Sequence, residues 1–293
     1  MKTKKTVTMI LTVLTLCLVL TACTSTNNNP ASASPSQSET KLLAGVLEQN
    51  SLETSARKQW TEVKGNSTLS EKVKYTSFST LNAMLMELNA GRVNYLQLPS
   101  SVANYLAATD NKLIVVEPKP VRLHYHMAGR AEDTALCEEM NSAIDKLKAN
   151  GTLDQLVADY ITNAKGAPTA NKLAHKEGGE THIVAVTGDL PPLDYVSADG
   201  TPAGFNVALL NAVSELTGCN FEIVQLEASA RLSALASGKV DMIFWIGCWS
   251  NDDYEPSEDG VCLTTPYFEE DICFVGYSKE IMEKVALLFQ NKK

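Results

Sequence analysis

Apolar stretches with strand-like and helix-like spacing alternate along most of this chain. The strand-like run Val73–Phe78 precedes leucines and methionines at three- and four-residue spacing between residues 81 and 88, which predict an amphipathic helix. The same order recurs at His182–Thr187 and Phe205–Leu216. Such alternation predicts an α/β domain with mostly parallel sheets. The predicted strands are Leu42–Glu48, Val73–Phe78, Val93–Leu98, Leu113–Val116, Arg122–Ala128, His182–Thr187, Cys219–Leu226, Val240–Ile246 and Ile272–Tyr277.

The first residues have the pattern of an export signal. Lys2, Lys4 and Lys5 precede the apolar run Met9–Leu20, which is too short to cross roughly 30 Å of hydrocarbon comfortably. Small residues and then Cys23 follow, and this segment resembles the lipobox of bacterial lipoproteins. The resemblance implies that residues 1–22 are a signal peptide and that Cys23 carries the lipid. An uncleaved anchor with an incidental cysteine is the alternative.

Composition indicates a tethered, acidic protein. Residues 23–40 are rich in Ser, Thr, Asn, Ala and Pro, which predicts a flexible tether. The formal net charge is −9, and removal of the three signal-peptide lysines makes it more negative. We therefore expect an extracytoplasmic protein held at the bacterial cell membrane by its lipid, with no affinity for nucleic acid.

The cysteines that follow Cys23 are odd in number, so they cannot all pair with one another. They are Cys137, Cys219, Cys248, Cys262 and Cys273, and no two have the CxxC spacing of a zinc or redox site. We expect a buried free thiol at Cys137. Cys248 and Cys262 flank an acidic loop, and the sequence leaves open whether they form a disulfide.

A longer stretch carries a specific family resemblance. From Val184 the chain reads VAVTGDLPPLDYVSADGTPAGFNVALLNAV, then ARLSALASGKVDMIFW, and later Thr265-Pro266-Tyr267. In this order the pieces resemble the solute-binding proteins of amino-acid ABC transporters. The resemblance implies a type II periplasmic binding fold, in which two lobes close on a small solute.

The upstream half resembles the later part of the same family, so the family's two halves occur in reverse order. The implied segments are 41–121, lobe 2; 122–163, a return segment and terminal helices packing on lobe 1; 164–180, a linker joining the ancestral termini; 181–268, lobe 1; and 269–293, a crossover strand into lobe 2 and a C-terminal tail. Each family segment occurs once, which favours a circular permutation. A truncated tandem pair remains the alternative.

The resemblance also implies the residues of the cleft. Carried over by position, they are Asp189, Leu190, Arg231, Trp245, Gly247, Cys248, Trp249, Asn50, Ser51 and Gln97. Leu190 stands where the family often has an aromatic residue, and Arg231 has a structural role as its alternative. The Asp that pairs with an α-ammonium group aligns with Pro99. The loop SNDDYEPSEDG lacks the Arg that binds an α-carboxylate. Its acidic residues either favour a cationic or amine-bearing solute or form a solvated loop, and the second alternative is the simpler one.

We therefore expect a monomeric receptor for a small polar metabolite, such as an amino acid or related amine, that delivers it to an ABC permease. We expect binding without catalysis and without a cofactor. We also expect no metal, since His124 and His126 share a strand face without a third ligand. A dehydratase-type enzyme on the same fold and a sensing module for a membrane receptor are the alternatives.

Overall fold

The computed structural model describes residues 41–47, 71–117, 122–163, 172–249 and 260–290, with the backbone alone at 245–249 and 290. Among these residues, no helix combines the length and apolar character needed to cross a membrane. The strands are β1 Leu42–Leu47, β2 Val73–Phe78, β3 Tyr95–Pro99, β4 Ile114–Val116, β5 Arg122–Arg130, β6 Thr181–Val186, β7 Asp189–Leu190, β8 Asp194–Val196, β9 Pro202–Ala203, β10 Asn220–Gln225, β11 Met242–Trp249, β12 Val261–Leu263 and β13 Phe268–Gly276.

The helices cover the segments between these strands. They are α1 Leu81–Asn89, α2 Ser100–Thr109, α3 Thr134–Ala149, α4 Thr152–Val157, α5 Phe205–Thr217, α6 Arg231–Ala236 and α7 Lys279–Gln290. The expected apolar faces are buried: in α1, for example, Leu81, Met84 and Leu88 point into the core.

One sheet runs through both halves of the fold, in the order β10-β6-β11-β5-β13-β3-β1-β2. In lobe 1, β10, β6 and β11 are parallel and β5 is antiparallel to β11. In lobe 2, β2, β1 and β3 are parallel and β13 is antiparallel to β3. A short strand completes each half, because β12 pairs with β5 and β4 pairs with β13. The two lobes therefore have the same strand order.

The two antiparallel strands join the lobes. Residues 122–125 of β5 pair with residues 268–271 of β13, and each strand then continues into a different lobe. Tyr125 and Phe268 stack at this junction with ring centroids 5.7 Å apart. We call this pairing the hinge.

All nine predicted strands are confirmed, with ends shifted by a few residues and Glu48 outside the described part. The prediction missed β7, β8, β9 and β12, which are too short for alternation to be visible. It also missed α7, whose Met282 and Val285 are buried beside β13.

The expectation of a free thiol at Cys137 is wrong, because Cys137 forms a disulfide with Cys262. A Cys248–Cys262 bridge is thereby excluded. The physical reason is Gly129, which lies opposite Cys262 in the β5–β12 pairing. A Cβ at Gly129 would lie 3.2 Å from the sulfur of Cys262 and 3.3 Å from that of Cys137. The missing side chain thus leaves space for both sulfurs.

We predict that Cys137→Ala lowers the free energy of unfolding by about 2–4 kcal/mol, because the disulfide closes a long loop in the unfolded chain. Urea unfolding with and without reductant measures this. Reductant should destabilise the wild type and Cys273→Ala, whose disulfide is intact, and leave Cys137→Ala unchanged. Equal stability of oxidised and reduced wild type would contradict the prediction.

Candidate ligand cleft and hinge

The carboxyl ends of the parallel strands of both lobes face one another, as ligand-binding edges do in open α/β sheets. Asp189, just after β6 in lobe 1, accepts a hydrogen bond through Oδ2 from the backbone N–H of Asn82 at 3.3 Å. Asn82 lies in the first turn of α1 in lobe 2. A second contact joins the lobes, since the N–H of Ala228 donates to the carbonyl of Ser79 at 3.4 Å. The lobes thus touch across this edge.

Asp189 is well placed to recognise charge. Burial raises the pKa of its carboxyl, while hydrogen bonds from the Asn82 and Leu81 backbone and the charge of Arg231 act in the opposite direction. Its partner is the amino end of a helix, which carries partial positive charge and free N–H groups. The carboxylate of Asp189 therefore occupies a position that suits any small anionic group.

The turn that carries Asp189 is held by a buried carboxylate, Asp194, which the sequence analysis missed. Its Oδ1 accepts from the N–H of Gly188 at 2.7 Å, and its Oδ2 accepts from Nδ2 of Asn206 at 2.9 Å. Burial raises the pKa of Asp194 to about 6, against the effects of these donors and of Arg231. Gly188 has φ +76°, and a Cβ there would lie 2.7 Å from Gln225, so the turn requires glycine.

Arg231 and Leu190 lie inside lobe 1. Arg231 begins α6, is fully buried, and donates from Nη1 to the carbonyl of Phe244 at 2.8 Å. It therefore fixes the backbone just before Trp245. Leu190 is also fully buried and belongs to the apolar core. Neither side chain presents an exposed surface to a solute in this structure.

The remaining candidates are placed by backbone position or lie outside the described residues. Gly247 pairs with Tyr125, Cys248 with His124 and Trp249 with Leu123, so the end of β11, which also contains Trp245, runs beside the hinge strand. Gln97 is half-buried on β3, between Val46 and Phe274 of the neighbouring strands. Asn50, Ser51 and the acidic residues of the 250–259 loop are outside the described part.

A cavity of about 570 Å³ lies beside the hinge, lined in part by Ser100, Asn104, Tyr105, Pro192 and Ile161. Two cross-strand pairs lie at the hinge. Arg122 and Asp271, which line the cavity, are 3.6 Å apart, and Glu269, also in the lining, lies 3.7 Å from His124. These pairs are largely solvated and contribute little to stability.

Glu270 is the buried charge of the hinge, and the sequence analysis missed it. Its Oε2 accepts from the Ser101 N–H at 2.6 Å and from Ser100 Oγ at 3.0 Å, and its Oε1 accepts from Ser101 Oγ at 3.1 Å. Glu270 of β13 thus caps the amino end of α2. Burial raises its pKa to about 7, and these donors, with Tyr125, act in the opposite direction. The sequence does contain a signal for the burial of Glu270. Phe268, Glu270 and Ile272 share one face of the strand by their period-two spacing, so the carboxylate lies between two apolar residues.

Two lobes of identical strand order, joined by two crossing strands, define the type II periplasmic binding fold, as expected from the sequence. Residues 182–256 match the family of bacterial extracellular solute-binding proteins, family 3. This confirms the resemblance noted from Val184 onward. No curated protein sequence matches the chain significantly.

Among solved structures, the chain is similar to the periplasmic aliphatic sulphonate binding protein SsuA from Escherichia coli, with 14% identity, TM-score 0.39, and 85% of this chain and 68% of that chain covered. The alkanesulfonate-binding protein SsuA from Xanthomonas axonopodis pv. citri bound to MOPS is 12% identical with TM-score 0.39, and 83% of this chain and 67% of that chain are covered. CbnR, a LysR family transcriptional regulator, is 9% identical with TM-score 0.42, and 82% of this chain and 64% of that chain are covered. Such similarity is too low to indicate a solute.

We predict that Glu270 makes stability fall as pH rises. Above the unfolded-chain pKa of 4.5 and below about 7, the folded protein keeps a proton that the unfolded chain releases. The stabilisation is complete below this window and is lost as pH rises through it. Glu270→Gln imitates the protonated group and removes the dependence.

Urea unfolding at about pH 5 and about pH 8 tests this: the wild type should lose up to about 3 kcal/mol relative to Glu270→Gln between these values. Asp194 is present in both proteins, so its titration cancels from the comparison. Parallel pH profiles for the two proteins would contradict the prediction.

Proposed function

We propose that this chain is an extracytoplasmic solute-binding lipoprotein that captures a small polar metabolite and presents it to an ABC importer. The observation that carries the proposal is the family match over residues 182–256, because these residues include the Asp189 turn that contacts lobe 2 across the cleft. Lobe closure around a solute is the action that such an edge-to-edge contact supports.

The solute is an amino acid or a related amine. Asp189 supplies a carboxylate for an ammonium group, and the amino end of α1 supplies N–H groups for a carboxylate. A zwitterion can therefore enter between them, with each end replacing half of the contact that Asp189 now makes with Asn82. This arrangement substitutes for the Arg and Asp of the family pattern, which the loop SNDDYEPSEDG and Pro99 lack.

The chain is a circular permutant of the family, and the contacts around Asn94 support this. Asn94 donates from its N–H to the carbonyl of Leu43 and accepts from the Leu43 N–H through Oδ1, each at 2.7 Å. A Cβ on Gly276 would lie 3.0 Å from the carbonyl of Asn94. The start of β1 and the end of β13 therefore meet at Asn94. In the family order β13 precedes β1, and a short connection between these two strand ends would be enough.

The lipid on Cys23 tethers the protein to the membrane, and the tether of residues 23–40 leads into β1 of lobe 2. The signal-peptide pattern and the lipobox resemblance support this. The protein acts as a monomer beside its permease.

Thermal-shift measurements against amino acids, amines and their derivatives test the binding proposal. We predict that at least one zwitterionic or amine-bearing solute raises Tm by about 5 °C at a hundredfold excess over Kd. Asp189→Asn should weaken binding about tenfold or more, because a charge-assisted contact is lost. Asp145→Asn, which changes an exposed carboxylate of α3, is the matched control and should bind like the wild type. Failure of every such solute to stabilise the wild type would overturn the proposal.

The permutation has its own test. We predict that a chain reordered as Thr181–Gln290, a short Gly/Ser linker and Lys41–Asn163 folds and responds to the same solutes. A chain with the same joint but opened between Ile183 and Val184, inside β6, should not fold. If the family-order chain fails to fold while the wild type folds, the chain is not a permutant.

A further inference from the structure

Three side chains with metal-binding atoms meet at the end of lobe 1 opposite the cleft. Glu139 comes from α3, His182 from the start of β6, and Cys219 from the residue before β10. One ligand atom from each lies within 4.8 Å of the other two. The sulfur of Cys219 is 3.6 Å from Oε1 of Glu139. The cleft lies at the other end of β6 and β10, so this cluster is separate from it.

His182 indicates that the cluster lacks a ligand. The residue is only 8% exposed, and its Nε2 is buried without a hydrogen-bond partner among the described residues. A buried polar nitrogen without a partner costs free energy, and such atoms are rare in folded proteins. Neither the core packing of the ring against Phe221 nor the Cys219–Glu139 contact supplies a partner for this atom.

We propose that Glu139, His182 and Cys219 bind Zn²⁺. Thiolate, imidazole and carboxylate are the ligands of protein zinc sites, whereas Ca²⁺ and Mg²⁺ prefer oxygen ligands alone. Zinc bonds of about 2.0–2.3 Å place tetrahedral ligand atoms roughly 3.5 Å apart. The 3.6 Å between Cys219 and Glu139 already fits this, and a pair as far apart as 4.8 Å must close by about 1 Å. A water molecule completes four-coordination.

Binding releases one proton. The thiol of Cys219 loses its proton to solvent as the Zn–S bond forms, and lone pairs of a Glu139 carboxylate oxygen and of a His182 ring nitrogen form the other two bonds. Burial raises the pKa of Cys219, the hydrogen bond with Thr217 lowers it, and Glu139 and Glu180 raise it further. These carboxylates therefore oppose a free thiolate but attract the cation. Affinity should consequently rise with pH.

The ion would fasten α3 to the two parallel strands β6 and β10. The neighbouring segment 172–180 is already held there, since Asn220 donates to the carbonyls of Lys176 and Gly179, each at 2.9 Å. The site lies away from the cleft edge, so we expect the ion to act on the stability of lobe 1 and not on solute binding. This inference does not depend on the proposed solute.

The experiment uses the full-length protein in detergent, stripped with chelator and supplied with Zn²⁺ or Co²⁺. We expect about one equivalent of Zn²⁺ to be retained, Tm to rise by about 5 °C or more at a hundredfold excess over Kd, and Co²⁺ to give thiolate charge-transfer absorption. Zn²⁺ should protect Cys219 from alkylation, measured on its own peptide by mass spectrometry. Cys219→Ser, His182→Gln and Glu139→Gln should each weaken Zn²⁺ binding at least tenfold.

Cys273→Ser is the matched control, since Cys273 is the other buried free cysteine among the described residues and lies in lobe 2. It should bind Zn²⁺ like the wild type. Equal Zn²⁺ affinity in wild type and Cys219→Ser, or equal alkylation of Cys219 with and without Zn²⁺, would overturn the proposal. Glu139→Gln changes a half-exposed helix residue, so its Zn²⁺ affinity can be measured even if the variants of buried His182 or Cys219 fail to fold.

Discussion

The pairing of residues 122–125 with residues 268–271 is the interaction on which the two-lobed structure depends. Both covalent crossings between the lobes pass through it, so any closing motion must bend or twist these few backbone hydrogen bonds. Glu270 extends the hinge into lobe 2 by capping α2 through Ser100 and Ser101. Removing the buried Glu270 carboxylate from its three donors would leave buried polar groups unpaired, which is costly. We therefore expect β13 and α2 to move together.

Carboxylates at helix ends and turns recur around the cleft, and each has a different exposure. Asp194 is fully buried and shapes the turn, whereas Asp189 is partly exposed and contacts α1 from the other lobe. Burial raises the pKa of both carboxyls, and the charge of Arg231 opposes this from within lobe 1. The buried carboxylate of Asp194 thus holds the turn that presents the more exposed carboxylate of Asp189 to lobe 2.

The strand–helix alternation predicted the α/β class and the long strands, because long elements show their period directly in the sequence. The two-lobed arrangement was expected from the family resemblance. Positions set by tertiary packing were not predictable. Cys137 pairs with Cys262 because Gly129 leaves space between two distant elements. Leu190 was expected at the cleft and is buried, since position along a family pattern does not give side-chain direction. Glu139, His182 and Cys219 have no motif spacing, and only the packing of α3 on lobe 1 brings them together.

The Cys137–Cys262 disulfide and the proposed zinc site join the same two segments of lobe 1. The described part of lobe 1 consists of residues 122–163 on one side of a gap and residues 172–249 and 260–268 on the other. Helix α3 belongs to the first segment and carries both Cys137 and Glu139, whose partners Cys262, His182 and Cys219 belong to the second. The disulfide offsets the loop-closure entropy of joining the segments, and a bound zinc ion would add to the same effect.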